Sequence, residues 1–441
     1  MEAFISRTRP KLLSSSPKIQ EKSFAPSKIP DDAEDSTDLK LATLSSLLSD
    51  VDQATLLDLL ISAEGSVETV FNSFSGENVV EPPRKRPATS VGHQTSLSAF
   101  RKPETAEPVL PSAKRRALTK KGQTLHLYTP EDIAAHTPCS IIHNFLPAQE
   151  ADSLLRELLE EAPTFERQTF KLFDNVVQSP HSACFYVDSM EERERQRTEY
   201  LYNGSYLKDV RQITAQMRTV SNKVQPIVNT EIAKRIKHHY PDGKKLKYQS
   251  SYEWIPNAAF VNCYEGGSQS VGYHCDQLTY LGPRAVIGSL SLGVAREFRV
   301  RKIVARDDQD ADSKDQRADA EGQIAIHLPH NSLLVMHAEM QEEWKHSIHP
   351  APSIDPHPIA GNKRINVTYR YYRESFHPKY TPKCRCNVAT VLRCVQRKKE
   401  NRGRYMWMCH AGLTPGKEGC TFFQWAEFDD DGEPPWAKTK H

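Results

Sequence analysis

Hydrophobic and polar positions change period several times along the 441 residues. In the N-terminal part three short apolar sets each follow one helical face: Leu44, Leu47 and Leu48; Leu56, Leu59 and Leu60; Val67, Val70, Phe71 and Phe74. Recurrence at three- and four-residue steps puts such side chains on one stripe of a helix. Gly65 can close the second helix in a left-handed conformation, and Ser66 can cap the third. A three-helix unit over 38–75 is predicted, with the small core its length allows. Further on, Pro147 opens a helix whose stripe is Leu154, Leu155, Leu158 and Leu159. A longer helix is predicted over 208–239. From residue 252 the period shortens to two, and strands are predicted over 258–264, 285–292, 297–304, 323–328, 332–337 and 364–372. An Asp-rich insertion at 306–321 reads as a loop between strands. Helices first and short strands afterwards predict an α+β domain built around a β-sandwich or jelly roll.

Composition divides the rest of the chain. With 58 Lys and Arg against 56 Asp and Glu the formal charge is +2, so any nucleic-acid surface must come from local clusters. Hydrophobic residues make up 38%, and there are 29 prolines, which implies disordered portions. Residues 1–37 and 76–122 have that composition. Within the second stretch Arg84-Lys85-Arg86 and Lys114-Arg115-Arg116 suit nuclear import or nucleic-acid contact, and a nuclear location is expected. No apolar run approaches the roughly 20 residues of a membrane span, and the N-terminus lacks a signal-peptide core. Five of the nine cysteines fall between Cys384 and Cys420, a bunching that reads as metal binding rather than disulfides.

The candidate chemistry lies in the strand-bearing part of the chain. His274-Cys275-Asp276 places an imidazole and a carboxylate two residues apart, on one side of an extended chain. A further histidine completes the two-His, one-carboxylate set of non-haem Fe(II) oxygenases. His346 competes for that place with His327, His330, His337 and His349. Asn262 and Tyr264 share a period-two face, as do Arg364, Asn366, Thr368 and Arg370. Four polar side chains on one face inside a core need a polar ligand, and a dicarboxylate meets that need. Arg364 and Arg370 stand about 20 Å apart on an ideal strand and must serve different ends of the pocket.

In this order, Asn262-x-Tyr264, His274-x-Asp276, His346 in Trp344-Lys345-His346-Ser347 and Arg364-x-Asn366-x-Thr368-x-Arg370 resemble the AlkB family of Fe(II)- and 2-oxoglutarate-dependent dioxygenases. The resemblance implies a double-stranded β-helix core over 123–378. It makes His274, Asp276 and His346 the iron ligands. It assigns 2-oxoglutarate to Asn262, Tyr264, Arg364, Thr368 and Arg370, with Asn366 in support. The implied activity is demethylation of alkylated bases such as 1-methyladenine and 3-methylcytosine, releasing formaldehyde, succinate and CO₂. DNA is the expected substrate, RNA the nearest alternative, and a catalytically weak adaptor a third reading. Pro180, His181 and Tyr186 resemble the nucleotide-recognition segment, with His181 where the family usually has Arg. Gln277 stands where DNA-repair relatives often carry a second acid, and it too is assigned to the substrate.

Cys384, Cys386, Cys409 and Cys420 supply four thiolates, enough for a closed zinc site. Cys394 is expected to be a packed thiol, and His410 is the rival ligand. With Asn401-Arg402-Gly403-Arg404 and Cys420-x-Phe422-Phe423-x-Trp425, residues 379–431 resemble a GRF zinc finger, leaving 432–441 as a tail. Arg393, Arg397, Lys398, Lys399, Arg402 and Arg404, interleaved with aromatics, suit single-stranded nucleic acid. Gly65-Ser66-Val67-Glu68-Thr69-Val70 resembles a CUE or UBA ubiquitin-binding module, with Leu47-Leu48-Ser49 in place of the CUE Met-Phe-Pro. Gln94-Thr95-Ser96-Leu97-Ser98-Ala99-Phe100 resembles a PCNA-interacting peptide that lacks its second aromatic.

Overall fold

The computed structural model describes residues 123–172, 175–202, 205–304, 322–413 and 417–440. All of them belong to one compact unit. The expected helical module at 38–75, the segments at 1–37 and 76–122 with their basic clusters, the PCNA-like peptide and the insertion at 306–321 lie outside the described residues. No described helix is long and apolar enough to cross a membrane.

The described chain begins with β1 (Thr124–Leu127), α1 (Pro130–His136) and β2 (Cys139–Ile142). The hydroxyl of Thr129 accepts from the Asp132 N–H, and Pro130, which has no N–H to satisfy, starts α1. The predicted leucine stripe forms α2 (Ala148–Glu161) and buries Leu154, Leu155 and Leu158. A hairpin that the sequence reading did not anticipate follows, β3 (Glu166–Leu172) with β4 (Asn175–Val187). Then come α3 (Met190–Thr198), β5 (Leu201–Tyr202), β6 (Ser205–Tyr206), β7 (Val210–Gln212) and α4 (Ala215–His239). The long helix therefore starts at 215, not 208. Val210–Gln212 pairs with β4 instead, and the Thr214 hydroxyl caps the helix by accepting from Met217 N–H. Met217, Val220, Val224 and Val228 form its buried stripe.

The remaining strands are β8 (Ala258–Glu265), β9 (Val271–His274), β10 (Ile287–Gly293), β11 (Arg296–Lys302), β12 (Gln323–Leu328), β13 (Ser332–Met336), β14 (Trp344–Ile348) after the short α5 (Met340–Glu343), and β15 (Lys363–Arg370). They build two sheets. One has the order β2-β13-β10-β15-β8-β4-β3, with β7 beside β4; the other has β1-β12-β11-β14-β9. Alternation in the larger sheet sends one set of side chains to the helices and the other to the second sheet. Val261, Cys263, Ile365 and Val367 pack with the stripes of α2 and α4. Tyr264, Ile287 and Leu334 meet Phe298, Val300, Ile326 and Ile348 of the smaller sheet. This is the expected two-layer α+β arrangement consistent with a jelly-roll core.

The C-terminal segment adds β16 (Val391–Cys394), β17 (Tyr405–Met408) and β18 (Phe423–Trp425), an antiparallel sheet of its own. It has no separate core. Leu392, Tyr405 and Trp407 are buried in the same cluster as Phe376, Leu281 and Phe298. Two residues of the segment beyond 431 are anchored to the oxygenase core. Trp436 Nε1 donates to Ser375 O at 2.7 Å, and Arg373 pairs with Glu433.

Candidate active site

β9 and β14 run side by side with His274 opposite His346. Asp276, two residues beyond His274, turns back into the same space. Its Oδ1 lies 3.6 Å from His274 Nε2 and 3.5 Å from His346 Nε2. His274 Nδ1 is 2.8 Å from Gly272 O, so that nitrogen carries the proton and Nε2 is free to bind a metal. His346 packs its ring against Phe298 at 5.4 Å and is 5% exposed. Burial, followed by neighbouring His274, lowers the His346 pKa, with Asp276 opposing the shift. Burial alone would raise the Asp276 pKa, but Arg370 and the two histidines outweigh it and hold the carboxyl well below its usual range. Two imidazoles and one carboxylate thus converge, the donor set of a non-haem ferrous site.

The rival histidines are engaged elsewhere. His337 Nε2 is 3.0 Å from Ser140 Oγ, and His330 Nδ1 accepts from Gly293 N–H. His327 sits with His126 and Glu297 in a different group, and His349 is outside every three-residue metal-ligating group among the described residues.

Beside the triad, β8 and β15 pair with Asn262 opposite Asn366 and Tyr264 opposite Arg364. Arg364 is 1% exposed. Its Nη2 donates to Ser291 Oγ at 2.9 Å, while Nε and Nη1 have no partner. Burial pushes its pKa down to about 10. A buried guanidinium with open donors is costly unless an anion completes it. That orphaned charge fits the distal carboxylate of a dicarboxylate co-substrate. Arg370 has a different duty, as the strand spacing required. Its Nη2 donates to Asp276 Oδ2 at 2.7 Å, leaving Oδ1 facing the histidines. Asn366 and Thr368 are largely satisfied within the sheet. Asn366 Nδ2 donates to Ser289 Oγ and Leu290 O, and Thr368 Oγ1 donates to Asn366 Oδ1. Their first role is to brace the strands.

The residues assigned to the substrate separate. His181 stacks on Tyr264 at 4.6 Å. Burial lowers its pKa to about 4, with an Asn262 hydrogen bond opposing the shift. His181 therefore lies beside Tyr264 and Asn262, two of the residues the resemblance assigns to 2-oxoglutarate. Tyr186 is a correction: it points to the helical side of the larger sheet, is fully buried, and its hydroxyl donates to Glu161 at 2.5 Å. Alternation decides this, because Phe185, not Tyr186, faces inward opposite Phe260. Pro180 is exposed. Gln277 Nε2 donates to Thr279 Oγ1 at 3.1 Å, and its Oε1 is buried without a partner.

Three contributors escaped the sequence reading. Ser289 and Ser291 brace the β15 side chains. Their period-two placement in β10, inward like Ile287, was a legible signal. Gln341 accepts from the Asp276 backbone N–H at 2.6 Å and has no sequence signature.

The cysteine segment reaches this same region. The sulfurs of Cys384, Cys386, Cys409 and Cys420 lie within 4.8 Å of one another. His410 instead turns Nε2 to Ala389 O at 2.9 Å, and Cys394 is packed into the shared core. Gln396 Nε2 donates to Gln341 O at 2.8 Å and to Cys275 Sγ at 3.2 Å, so the segment touches the residue between His274 and Asp276.

A two-histidine, one-carboxylate face inside a jelly-roll-like sandwich, beside a buried arginine, defines a non-haem iron oxygenase core. Residues 138–370 match the 2OG-Fe(II) oxygenase superfamily, and the chain belongs to it. The chain is 26% identical over 247 residues to "DNA oxidative demethylase ALKBH2" of Arabidopsis thaliana, covering 52% of this chain and 64% of that protein. It is 24% identical over 271 residues to "Alpha-ketoglutarate-dependent dioxygenase alkB homolog 3" of Bos taurus, covering 62% of this chain and 77% of that protein. The human protein of the same name is 24% identical over 226 residues, 51% of this chain and 63% of its own length.

Proposed function

We propose that this chain oxidatively demethylates alkylated bases in DNA, using Fe(II), O₂ and 2-oxoglutarate, in the nucleus. The observation that carries the reading is the pairing of the His274, Asp276 and His346 donors with the uncompensated Arg364 charge. The relatives named as DNA oxidative demethylase and alpha-ketoglutarate-dependent dioxygenase support the direction of the chemistry. Bound Fe(II) with its co-substrate supplies the oxidising power. The protein positions and neutralises. Arg364 takes the distal carboxylate, with Ser291 fixing one edge of its guanidinium. Arg370 holds Asp276 in one rotamer, and Asn366 and Thr368 hold β15 in register. Hydroxylation of an N-methyl group then yields formaldehyde and the free base, with succinate and CO₂. A base must leave its stack to reach such a site, which favours lesions that already spoil pairing.

We propose further that Cys384, Cys386, Cys409 and Cys420 hold Zn and that the outer face of their sheet carries the strand. Phe423 is 51% exposed, and Arg404 lies over the Trp425 ring at 3.8 Å. Arg393 is aligned with Met406 and Trp425 across the three strands. Cations alternating with an exposed aromatic suit phosphate neutralisation and base stacking.

The test is formaldehyde release from methylated DNA and RNA, single- and double-stranded, with Fe(II) and 2-oxoglutarate. Turnover on DNA that disappears in Asp276→Ala is the expected result. Turnover only on RNA moves the substrate to RNA, and none on either overturns the enzyme reading in favour of an adaptor.

A further inference from the structure

His126, Glu297 and His327 make a second group of metal-ligating side chains, and the oxygenase reading gives it no task. They come from three neighbouring strands. β1 pairs in parallel with β12, and β12 pairs with β11 so that Glu297 stands opposite His327. His126 Nδ1 is 3.1 Å from His327 Nε2 and 3.7 Å from Glu297 Oε1. A tetrahedral ion with ligand bonds of about 2.0–2.1 Å wants its donors roughly 3.4 Å apart. The spacing of this group therefore matches that of the iron donors, which stand at 3.5 and 3.6 Å.

The surroundings present the donors rather than consume them. Arg299 Nε and Nη2 both donate to Glu297 Oε2, which leaves Oε1 turned to His126. Tyr128 stacks on the His327 ring at 4.5 Å and 8°, fixing its plane. Burial lowers the His327 pKa, with the Glu297 carboxylate opposing and Arg299 adding to the shift, the direction that favours the ligating form of the ring. The group also lies apart from the iron donors. Phe298 and Val300 point into the core, Val300 opposite His346, so Glu297 and Arg299 alternate to the outer face.

We propose that His126, Glu297 and His327 form a surface site for a divalent ion of the Zn(II) class, with water as fourth ligand, that clamps edge strand β1 to β12 and β11. Two imidazoles and one carboxylate with an open position suit zinc and its first-row neighbours better than Mg²⁺ or Ca²⁺, which prefer oxygen. The clamp acts on a four-residue strand at the edge of the sheet, the place where a ladder frays first.

The experiment uses the full chain dialysed against micromolar Zn(II), with bound metal counted per chain. The iron donors and the cysteine cluster also take zinc, so the comparison is between variants. His126→Ala and His327→Ala should each hold one equivalent less than wild type. His274→Ala should lose a different equivalent, additively with His126→Ala. Glu297→Gln, which keeps the shape, should weaken that equivalent by more than the roughly 10–100-fold typical of losing an outer-shell partner. Zinc should also slow amide exchange in Thr124–Leu127 of wild type and not of His327→Ala. Equal zinc content in wild type and both histidine variants overturns the site and leaves a hydrogen-bonded imidazole pair. Unchanged exchange despite a bound equivalent overturns the clamp.

Discussion

Arg364 shows how a single side chain can oppose stability and serve binding. Its charge is buried with two donors open, so the ligand-free protein bears an uncompensated desolvation cost. Arg364→Met removes that cost and keeps the volume. The variant should melt higher than wild type without 2-oxoglutarate and gain nothing when it is added, while wild type rises. Loss of charge-assisted bonds worth about 1.5–3 kcal/mol should raise the apparent KM for 2-oxoglutarate about 10–150-fold in co-substrate-consumption assays. Equal melting responses of the two proteins to 2-oxoglutarate would refute the clamp. His181 gives a pH prediction. Its folded pKa, about 4, lies below the ordinary histidine value of 6.5 because burial disfavours the charged ring. Between those values the unfolded chain binds the extra proton, so stability falls as pH drops through that window. His181→Phe keeps the stack on Tyr264 and cannot protonate. Its denaturant midpoint should fall less than that of wild type between pH 6.5 and 4, and parallel curves would exclude the effect.

At the scale of elements, what the sequence could reveal depended on period. β8 and β15 alternate cleanly, so Asn262, Tyr264, Arg364, Asn366 and Thr368 were legible as one inward face. Helix α2 was legible from its leucine stripe, and α4 was expected apart from its start, where pairing with β4 overrode local pattern. β3, β4, β9 and β14 were not marked out as strands, because none of their sequences carries a sustained period-two apolar alternation. Tyr186 was misplaced for the same reason: with no register for β4, nothing said which of Phe185 and Tyr186 pointed inward. The cysteine spacing was legible, but the docking of its sheet was not, since Leu392, Tyr405 and Trp407 bury themselves in a cluster that reaches residues as distant in sequence as Leu281. That docking carries a prediction. Trp407 is 1% exposed, and Trp407→Ala should cost about 3–5 kcal/mol. The loss should appear in the melting of the whole described unit, followed by far-UV circular dichroism. Two separate transitions in wild type, with only the smaller one shifted, would mean that the segment folds on its own.

For the whole molecule, the formal charge of +2 over 441 residues leaves no general attraction for a polyanion, so affinity must reside in local surfaces. Arg393, Lys398 and Arg404 are exposed on the cysteine segment, and Gln396 on that segment touches Cys275 beside the iron donors. Under the proposed function, strand capture and base chemistry would share one packed core, because the segment's Gln396 bonds to Gln341 and Cys275. This sharing also limits one experiment. Cys409→Ser removes one of the proposed zinc ligands and disturbs a sheet that supports Asp276 through Gln341 and Gln396, so it should lower binding and catalysis together. Surface charge separates the two. Replacing Arg393, Lys398 and Arg404 together by Ala should lower the slope of log affinity against log salt by about 2 for a single strand, at about 0.7 per phosphate contact. Turnover of a free methylated nucleoside, which needs no strand capture, should stay unchanged. An unchanged salt slope would move the strand to another face of the protein. A fall in nucleoside turnover would mean that these cations reach the iron donors through the Gln396 contact rather than through DNA.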